Sequence, residues 1–170
     1  MHETAEELAE LQRLLDASHA AANSHMASIF TPERRASAAE TAQLLRGACV
    51  LALATVSPDG SPRTAPVDGL FFRGRFTFST SPESARMKNI RRDARVSANY
   101  NRGEELCVIV HGAAREIDQR SAWGLALRDY NREVYGEAWD SWGYWGKAPY
   151  TAIEPSRMYA ALFNRALLGA

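Results

Sequence analysis

Residues 76–95, FTFSTSPESARMKNIRRDAR, hold the residue types that bind an anion. A β-preferring start runs into the hydroxyls of Ser79, Thr80, Ser81 and Ser84, and then into a basic helix carrying Arg86 and Lys88. The free amides and positive dipole end of a helix start face whatever precedes it, so hydroxyls, amides and cations can converge on a phosphate monoester. Six basic side chains and a single acid, Asp93, lie from Arg86 to Arg102, which makes a local positive patch. Glu83 opposes this, because a carboxylate in the first turn competes for the same dipole; a capped surface helix with solvated arginines is the competing reading. A second piece is Arg63-Thr64-Ala65-Pro66-Val67. A strand that opens on arginine directly after a turn can aim the guanidinium at the same anion while its backbone borders a planar ligand.

Other chemistries find less support. His2, His19 and His25 form no i, i+4 pair, and His111 stands alone among apolar neighbours, so no metal site is expected. Cys107 and His111 share a strand face but lie about 13 Å apart along it, too far for a nucleophile and its base. No phosphate-binding P-loop or G-x-G-x-x-G is present. Trp139, Trp142, Tyr144 and Trp145 are separated by glycines; they can stack on a planar ligand, close a barrel end or pack a dimer seam.

The elements that must position these residues follow from caps and periodicity. Thr4 and Glu7 form a capping box ahead of Leu8, Leu11, Leu14 and Leu15, a helix with one apolar face. Thr31-Pro32-Glu33 reads as the start of a second helix ending near Gly47. Strands are expected at 48–56, 63–72 and 75–79, joined by the turns Ser57-Pro58-Asp59-Gly60 and Arg73-Gly74. Ser81-Pro82-Glu83 opens the basic helix, which runs to about Asp93. Strands at 96–100 and 105–117 follow, then a helix capped by Asp118 and carrying Trp123, Leu127, Tyr130 and Val134. The aromatic segment 139–145 reads as a loop, and closing strands at 150–153 and 158–162 are separated by Pro155, leaving the last residues as a tail. About six short strands, the two closing ones counted together, with few and brief helices between them, indicate a mainly β protein, a small barrel with helical additions, and argue against a Rossmann sheet.

A chain of 170 residues with 46% hydrophobic and 24% charged content is an ordinary globular length and composition. Its net charge of +0 provides no global field for nucleic acid or an anionic membrane. The acidic N-terminus, the absence of any apolar stretch near the roughly 18 residues of a membrane span, and two unpaired cysteines in apolar runs lead us to expect a reduced, cytoplasmic protein.

In order, ATVSPDGSPRTAPV, GRFTFSTSPESARMKNIRRDARVSA and VHGAAREI resemble the pyridoxamine 5′-phosphate oxidase-like superfamily, the split β-barrel flavin and deazaflavin oxidoreductases. The likeness spans 48 to about 162. It implies a six-stranded split β-barrel domain at 48–165 behind an N-terminal helical extension at 1–47, and a homodimer with its cofactor in a groove at the interface. The extension lies outside the resemblance and would wrap the partner or cover the groove. Carried over by position, Arg63, Thr64, Ala65, Pro66 and Val67 border the isoalloxazine and contact the phosphate. Ser79 and Thr80 lie beside the ring and ribityl chain, and Ser84, Arg86 and Lys88 match the phosphate-binding helix start. FMN is the implied cofactor and the deazaflavin coenzyme the alternative, its longer anionic tail suited to Lys88, Arg91 and Arg92. The reaction implied is hydride exchange with a small organic substrate, and no catalytic side chain is assigned. Some relatives bind haem, for which His111 or an N-terminal histidine would be the axial ligand, and a non-catalytic flavin-binding module is a further alternative.

The departures narrow this. True vitamin-B6 oxidases carry two successive basic residues where this chain has Ala85-Arg86, and a lysine for the substrate phosphate where it has Asp68. Their C-terminal arginine and histidine motif has no counterpart in MYAALFNRALLGA. The resemblance therefore implies fold and cofactor, with vitamin-B6 oxidation excluded from the expected activity.

Overall fold

A computed structural model describes residues 2–169. Three helices come first, α1 (Ala5–Ala20), α2 (Ser24–Ile29) and α3 (Ala38–Leu44). The expected capping box starts α1: the Thr4 hydroxyl accepts from the Glu7 amide at 3.2 Å and the Glu7 carboxylate from the Thr4 amide at 2.8 Å. Residues 31–35 form a turn, however, and the helix that follows them, α3, begins only at Ala38. The Ala36 amide bonds to the carbonyl of Ala160 and Arg35 bridges to Ala161, so pairing with the sheet claims backbone that Pro32 would have led into a helix. A second capping box, Ser37 with Glu40, then supplies the start.

Six antiparallel strands close a barrel in the order β1-β2-β3-β6-β5-β4. They are β1 (Ala48–Val56), β2 (Pro62–Phe72), β3 (Arg75–Ser79), β4 (Arg95–Arg102), β5 (Leu106–Glu116) and β6 (Tyr150–Leu162). Arg73 and Gly74, at φ +49 and +77, make the two-residue turn between β2 and β3 whose twist matches the strands. The two closing strands of the sequence reading are one continuous β6. Pro155 fits inside it because the ladder with β5 is irregular at His111/Gly112, where a missing amide donor is tolerated.

The barrel interior and the inner faces of α1 and α3 form one apolar core. Leu11, Leu15, Leu44 and Leu45 pack with Leu51, Phe76, Val108 and Met158. Helix α1 lies on β6, where the Ser18 hydroxyl accepts from the Met158 amide at 2.9 Å. Two further helices, α5 (Ala122–Tyr135) and α6 (Glu137–Trp142), cover the other side of β2 and β6 through Leu127, Tyr130 and Trp139 against Leu70, Phe72 and Tyr150. Ser121, rather than Asp118, caps α5, accepting from the Gly124 amide at 3.0 Å. Half of the aromatic segment read as a loop is α6, and the expected tail is a short 3₁₀ helix, Arg165–Gly169, fastened to α3 by the Gln43 amide on the Leu168 carbonyl. Among the described residues no helix is long and apolar enough to cross a membrane.

Candidate functional site

One stretch of strand is exposed at every position. From Cys49 to Thr55, β1 alternates buried and outward-facing positions, but positions 62–66 of β2 are exposed on both faces, and burial begins only at Val67. A strand open on both sides has surface prepared for something other than its own core. The register sets Thr55 opposite Arg63, Ala54 opposite Thr64 and Ala52 opposite Pro66.

The basic helix, α4 (Ala85–Arg92), closes one side of this open strand. Its N-cap is Ser84, one turn later than Ser81; Ser84 Oγ accepts from the Met87 amide at 3.2 Å and from Thr80 Oγ1 at 3.4 Å. Ser81 closes a smaller turn by accepting from the Glu83 amide. The shifted start leaves Glu83 just ahead of the cap, outside the first helical turn, where its carboxylate is 3.5 Å from the Lys88 ammonium. Buried Met87 and Ile90 seat the helix, and Asn89 Nδ2 donates to Thr55 Oγ1 at 3.0 Å, tying it to β1.

Two grooves meet here and share Thr80 and Arg86. One, of about 470 Å³, is lined by Arg63, Thr64, Ala65, Ser84 and Asn89. The other, of about 770 Å³, runs along Pro66, Val67, Asp68, Ser79 and Thr80 to Trp142 and Tyr144. Nine of the ten residues expected at a cofactor site, Arg63 to Val67, Ser79, Thr80, Ser84 and Arg86, thus line one continuous trough. Lys88 lies outside both linings, its ammonium 3.5 Å from Glu83.

The positive patch is largely consumed by partners. Arg91 pairs with Glu116 at 2.8 Å, Arg95 with Asp93 at 2.6 Å, and Arg92 donates to the Val56 carbonyl. Arg63 is exposed and stands 3.9 Å from Asp59. Arg86 differs: half-buried, it donates through Nη2 to the Pro66 carbonyl at 2.7 Å and has no carboxylate partner among the described residues. Burial alone pulls its pKa down. A cation desolvated without a counter-ion favours an anion from outside.

At the far end the trough opens into a smaller aromatic recess of about 120 Å³, lined by Asp68, Tyr135, Trp139, Trp142, Tyr144 and Tyr150 among others. Trp139 is buried, with its indole donating to the Tyr150 hydroxyl at 3.1 Å, whereas Trp142 and Tyr144 are 47% and 54% exposed.

None of the four histidines lines the trough or the recess. His111 faces outward from β5, its Nδ1 2.8 Å from Ser97 Oγ. His19 is buried against Phe30 and Tyr159. Helices α1 to α3, expected either over the groove or around a partner, contribute no residue to these linings. Cys49, whose thiol burial pushes up to about 12, and half-buried Cys107 are both unpaired and outside them.

The sequence reading missed Thr55 and Asn89, which enter the trough only through the β1–β2 register and the seating of α4. It also missed Tyr135, whose position on the apolar side of α5 concealed a second role in the recess wall.

Comparison with known proteins agrees with this fold. The model of the family described as pyridoxamine 5′-phosphate oxidase matches residues 37–160. Similar solved structures include conserved hypothetical protein Rv2991 from Mycobacterium tuberculosis, 22% identical over 82% of this chain and 91% of that one, with a TM-score of 0.64. The haem storage protein HutZ from Vibrio cholerae is 16% identical over 78% and 94%, with a TM-score of 0.60. An FAD-binding protein from Mesorhizobium loti is 21% identical over 75% and 96%, with a TM-score of 0.57. At these identities the structures share the fold and nothing finer. No curated protein matches. The family match covers more than half of the sequence, and with the closed six-stranded barrel it establishes that this chain belongs to the pyridoxamine 5′-phosphate oxidase family.

Proposed function

We propose that the protein is a cytoplasmic, homodimeric flavin-dependent oxidoreductase that holds FMN in the trough and exchanges hydride with a small organic substrate. The observation that carries this reading is Arg86, a half-buried cation with a carbonyl and no carboxylate beside it, set among the hydroxyls of Thr80 and Ser84. Those groups suit a phosphate monoester. The doubly open strand 62–66 offers main-chain edges to a planar ring, and Ser79, donating to the Pro149 carbonyl at 3.2 Å, keeps a hydroxyl at the ring side.

FMN is favoured over the deazaflavin coenzyme because Arg91, which would meet a longer anionic tail, is already ion-paired with Glu116. When bound, the cofactor supplies two-electron redox chemistry. The chain's own part is to hold the phosphate with Arg63, Ser84 and Arg86, to border the ring with Thr64, Ala65, Pro66 and Val67, and to keep water from one side with the aromatic segment. Asp68 would repel a phosphorylated vitamin-B6 substrate, and Ala85 removes one phosphate ligand, so oxidation of pyridoxine phosphate is not the activity proposed.

A second copy of the chain is expected on the outer face of β1. Val50, 59% exposed, Ala52 and Ala54 form an apolar row there whose cross-strand neighbours are Asp68, Pro66 and Thr64, continuous with the trough.

The test is a titration of purified protein with FMN, with the deazaflavin coenzyme and with haem, following cofactor fluorescence or absorbance. Sub-micromolar binding of FMN, followed by its reduction with a nicotinamide donor faster than free FMN, supports the proposal. Binding without accelerated reduction would make the protein a carrier, and preference for haem would overturn the flavin reading.

A further inference from the structure

We propose that the aromatic recess beside Asp68 is a subsite for an organic cation, a quaternary or protonated nitrogen on a small head group. As a substrate subsite it rests on the reading of the trough as a cofactor groove, whose inner end it continues.

Three side-chain features converge. Tyr135, Trp142 and Tyr144 form a row of rings, with centroids 5.2 Å apart for the first pair and 6.4 Å for the second. Two of these rings are left about half exposed, although burying large aromatics is the usual outcome of folding. Ring faces carry negative potential and attract cations, most strongly where water is thinned. This cluster already does so internally, since the Arg132 guanidinium lies 5.5 Å from the Trp139 ring centroid.

Asp68 is the second feature. It lines both the trough and the recess, and its carboxylate has no hydrogen-bond or ion-pair partner among the described residues. Its field reaches the ring row, because the Tyr135 phenol is pushed up to about 12, first by burial and next by Asp68. A charge that raises the cost of a phenolate lowers the cost of a cation at the same place.

The third feature is the separation of signs. The cations of the trough are Arg63 and Arg86 beside α4 and Lys147 on the outer aromatic wall, and none of them lines the recess. At 120 Å³ the recess admits a head group, with the body of the molecule in the 770 Å³ trough. A ligand with an anionic head would meet Asp68 at the inner end, so the recess selects by charge as well as by shape.

The test uses the full chain with and without FMN, and follows quenching of tryptophan fluorescence by phenyltrimethylammonium and, as its anionic counterpart, benzenesulfonate. We expect saturable quenching by the cation alone, weakened about tenfold in Asp68→Asn and at least as much in Trp142→Ala. Asp68 lines the trough but offers no phosphate ligand, so FMN affinity in Asp68→Asn should not fall, and loss of its negative charge should if anything raise it while cation binding weakens. Equal response to the two probes, or an unchanged cation affinity in Asp68→Asn, overturns the proposal. FMN binding without cation binding defeats this inference alone; cation binding without FMN binding leaves the subsite standing and defeats the cofactor reading.

Discussion

Arg86 Nη2 donates to the carbonyl oxygen of Pro66 across 2.7 Å, joining the first turn of α4 to the middle of β2. The bond orients the guanidinium along the trough and leaves its remaining donors for a ligand, since a carbonyl takes one of five N–H groups. Arg86→Ala should weaken FMN binding about 10- to 100-fold, the range for a lost hydrogen bond to a charged group. Arg86→Lys keeps the charge but not the fork, and should fall between. Fluorescence titration of the three proteins, with melting temperatures as controls, checks this. An Arg86→Ala variant with full FMN affinity would show that the phosphate lies elsewhere.

The outer strip of β1 makes a prediction about mass. Ala52 is exposed between Val50 and Ala54 and is flanked by Pro66 and Asn99 in the neighbouring strands. In a monomer, Ala52→Glu would sit in solvent and change stability by no more than about 0.5 kcal/mol. In a dimer paired on this face it buries an uncompensated charge and should raise the dissociation constant at least about 100-fold. Sedimentation equilibrium should give twice the chain mass for the wild type and the chain mass for the variant. A wild type that is monomeric at micromolar concentration would rule the dimer out.

Tyr135 makes the recess sensitive to alkali. Its phenol has a folded pKa raised from 10.0 to about 12, first by burial and then by Asp68. Because the folded state holds this proton more tightly, the stabilisation is complete below about pH 10 and is lost as pH rises through about 12. Asp68→Asn should therefore shift the Tyr135 step, read as tyrosinate absorbance and identified by its loss in Tyr135→Phe, to lower pH. A step that stays in place would mean that Asp68 does not act on the Tyr135 phenol.

Gly112 stands where β5 and β6 lose register. A Cβ built there would lie 2.0 Å from the Glu154 carbonyl oxygen and 3.0 Å from Pro155 Cα, both backbone atoms that cannot swing aside. Gly112→Ala should cost about 3 kcal/mol or more, the upper range for overpacking. It should appear as a lower urea midpoint with unchanged slope. A midpoint within experimental error of the wild type would show that β6 moves away more easily than its pairing suggests.

Local chemistry made much of the fold legible in advance. Thr4 and Glu7 fix a helix start with atoms three residues apart, and the turns at Ser57–Gly60 and Arg73-Gly74 are set by the conformations their own residues prefer. Readings failed where distant backbone competed. Pro32 carried a sound helix-start signal, but bonds to β6 took the Ala36 amide and the Arg34 carbonyl, and Ser37 with Glu40 supplied the start instead. Ser81 ahead of Pro82 read as the cap of the basic helix, but the helix that buries Met87 and Ile90 starts one turn later, at Ser84. Pro155 looked like a strand end because the irregularity that admits it is formed with β5, about forty residues away. The site divides in the same way: Ser84 and Arg86 follow from the motif, whereas the Asn89–Thr55 bond and the meeting of Asp68 with Tyr135 require the folded chain.

Helix α6 is bounded by Gly136 and Gly143, both with φ +60, and its one buried residue is Trp139. It behaves as a cassette plugged into the barrel at a single socket. Its outward positions, Trp142 and the adjoining Tyr144, can be exchanged while the six strands and the Arg86 end of the trough stay as they are. Choice of ligand is thereby uncoupled from folding, and a library randomised at these two positions would sample new specificities on a scaffold that keeps its stability.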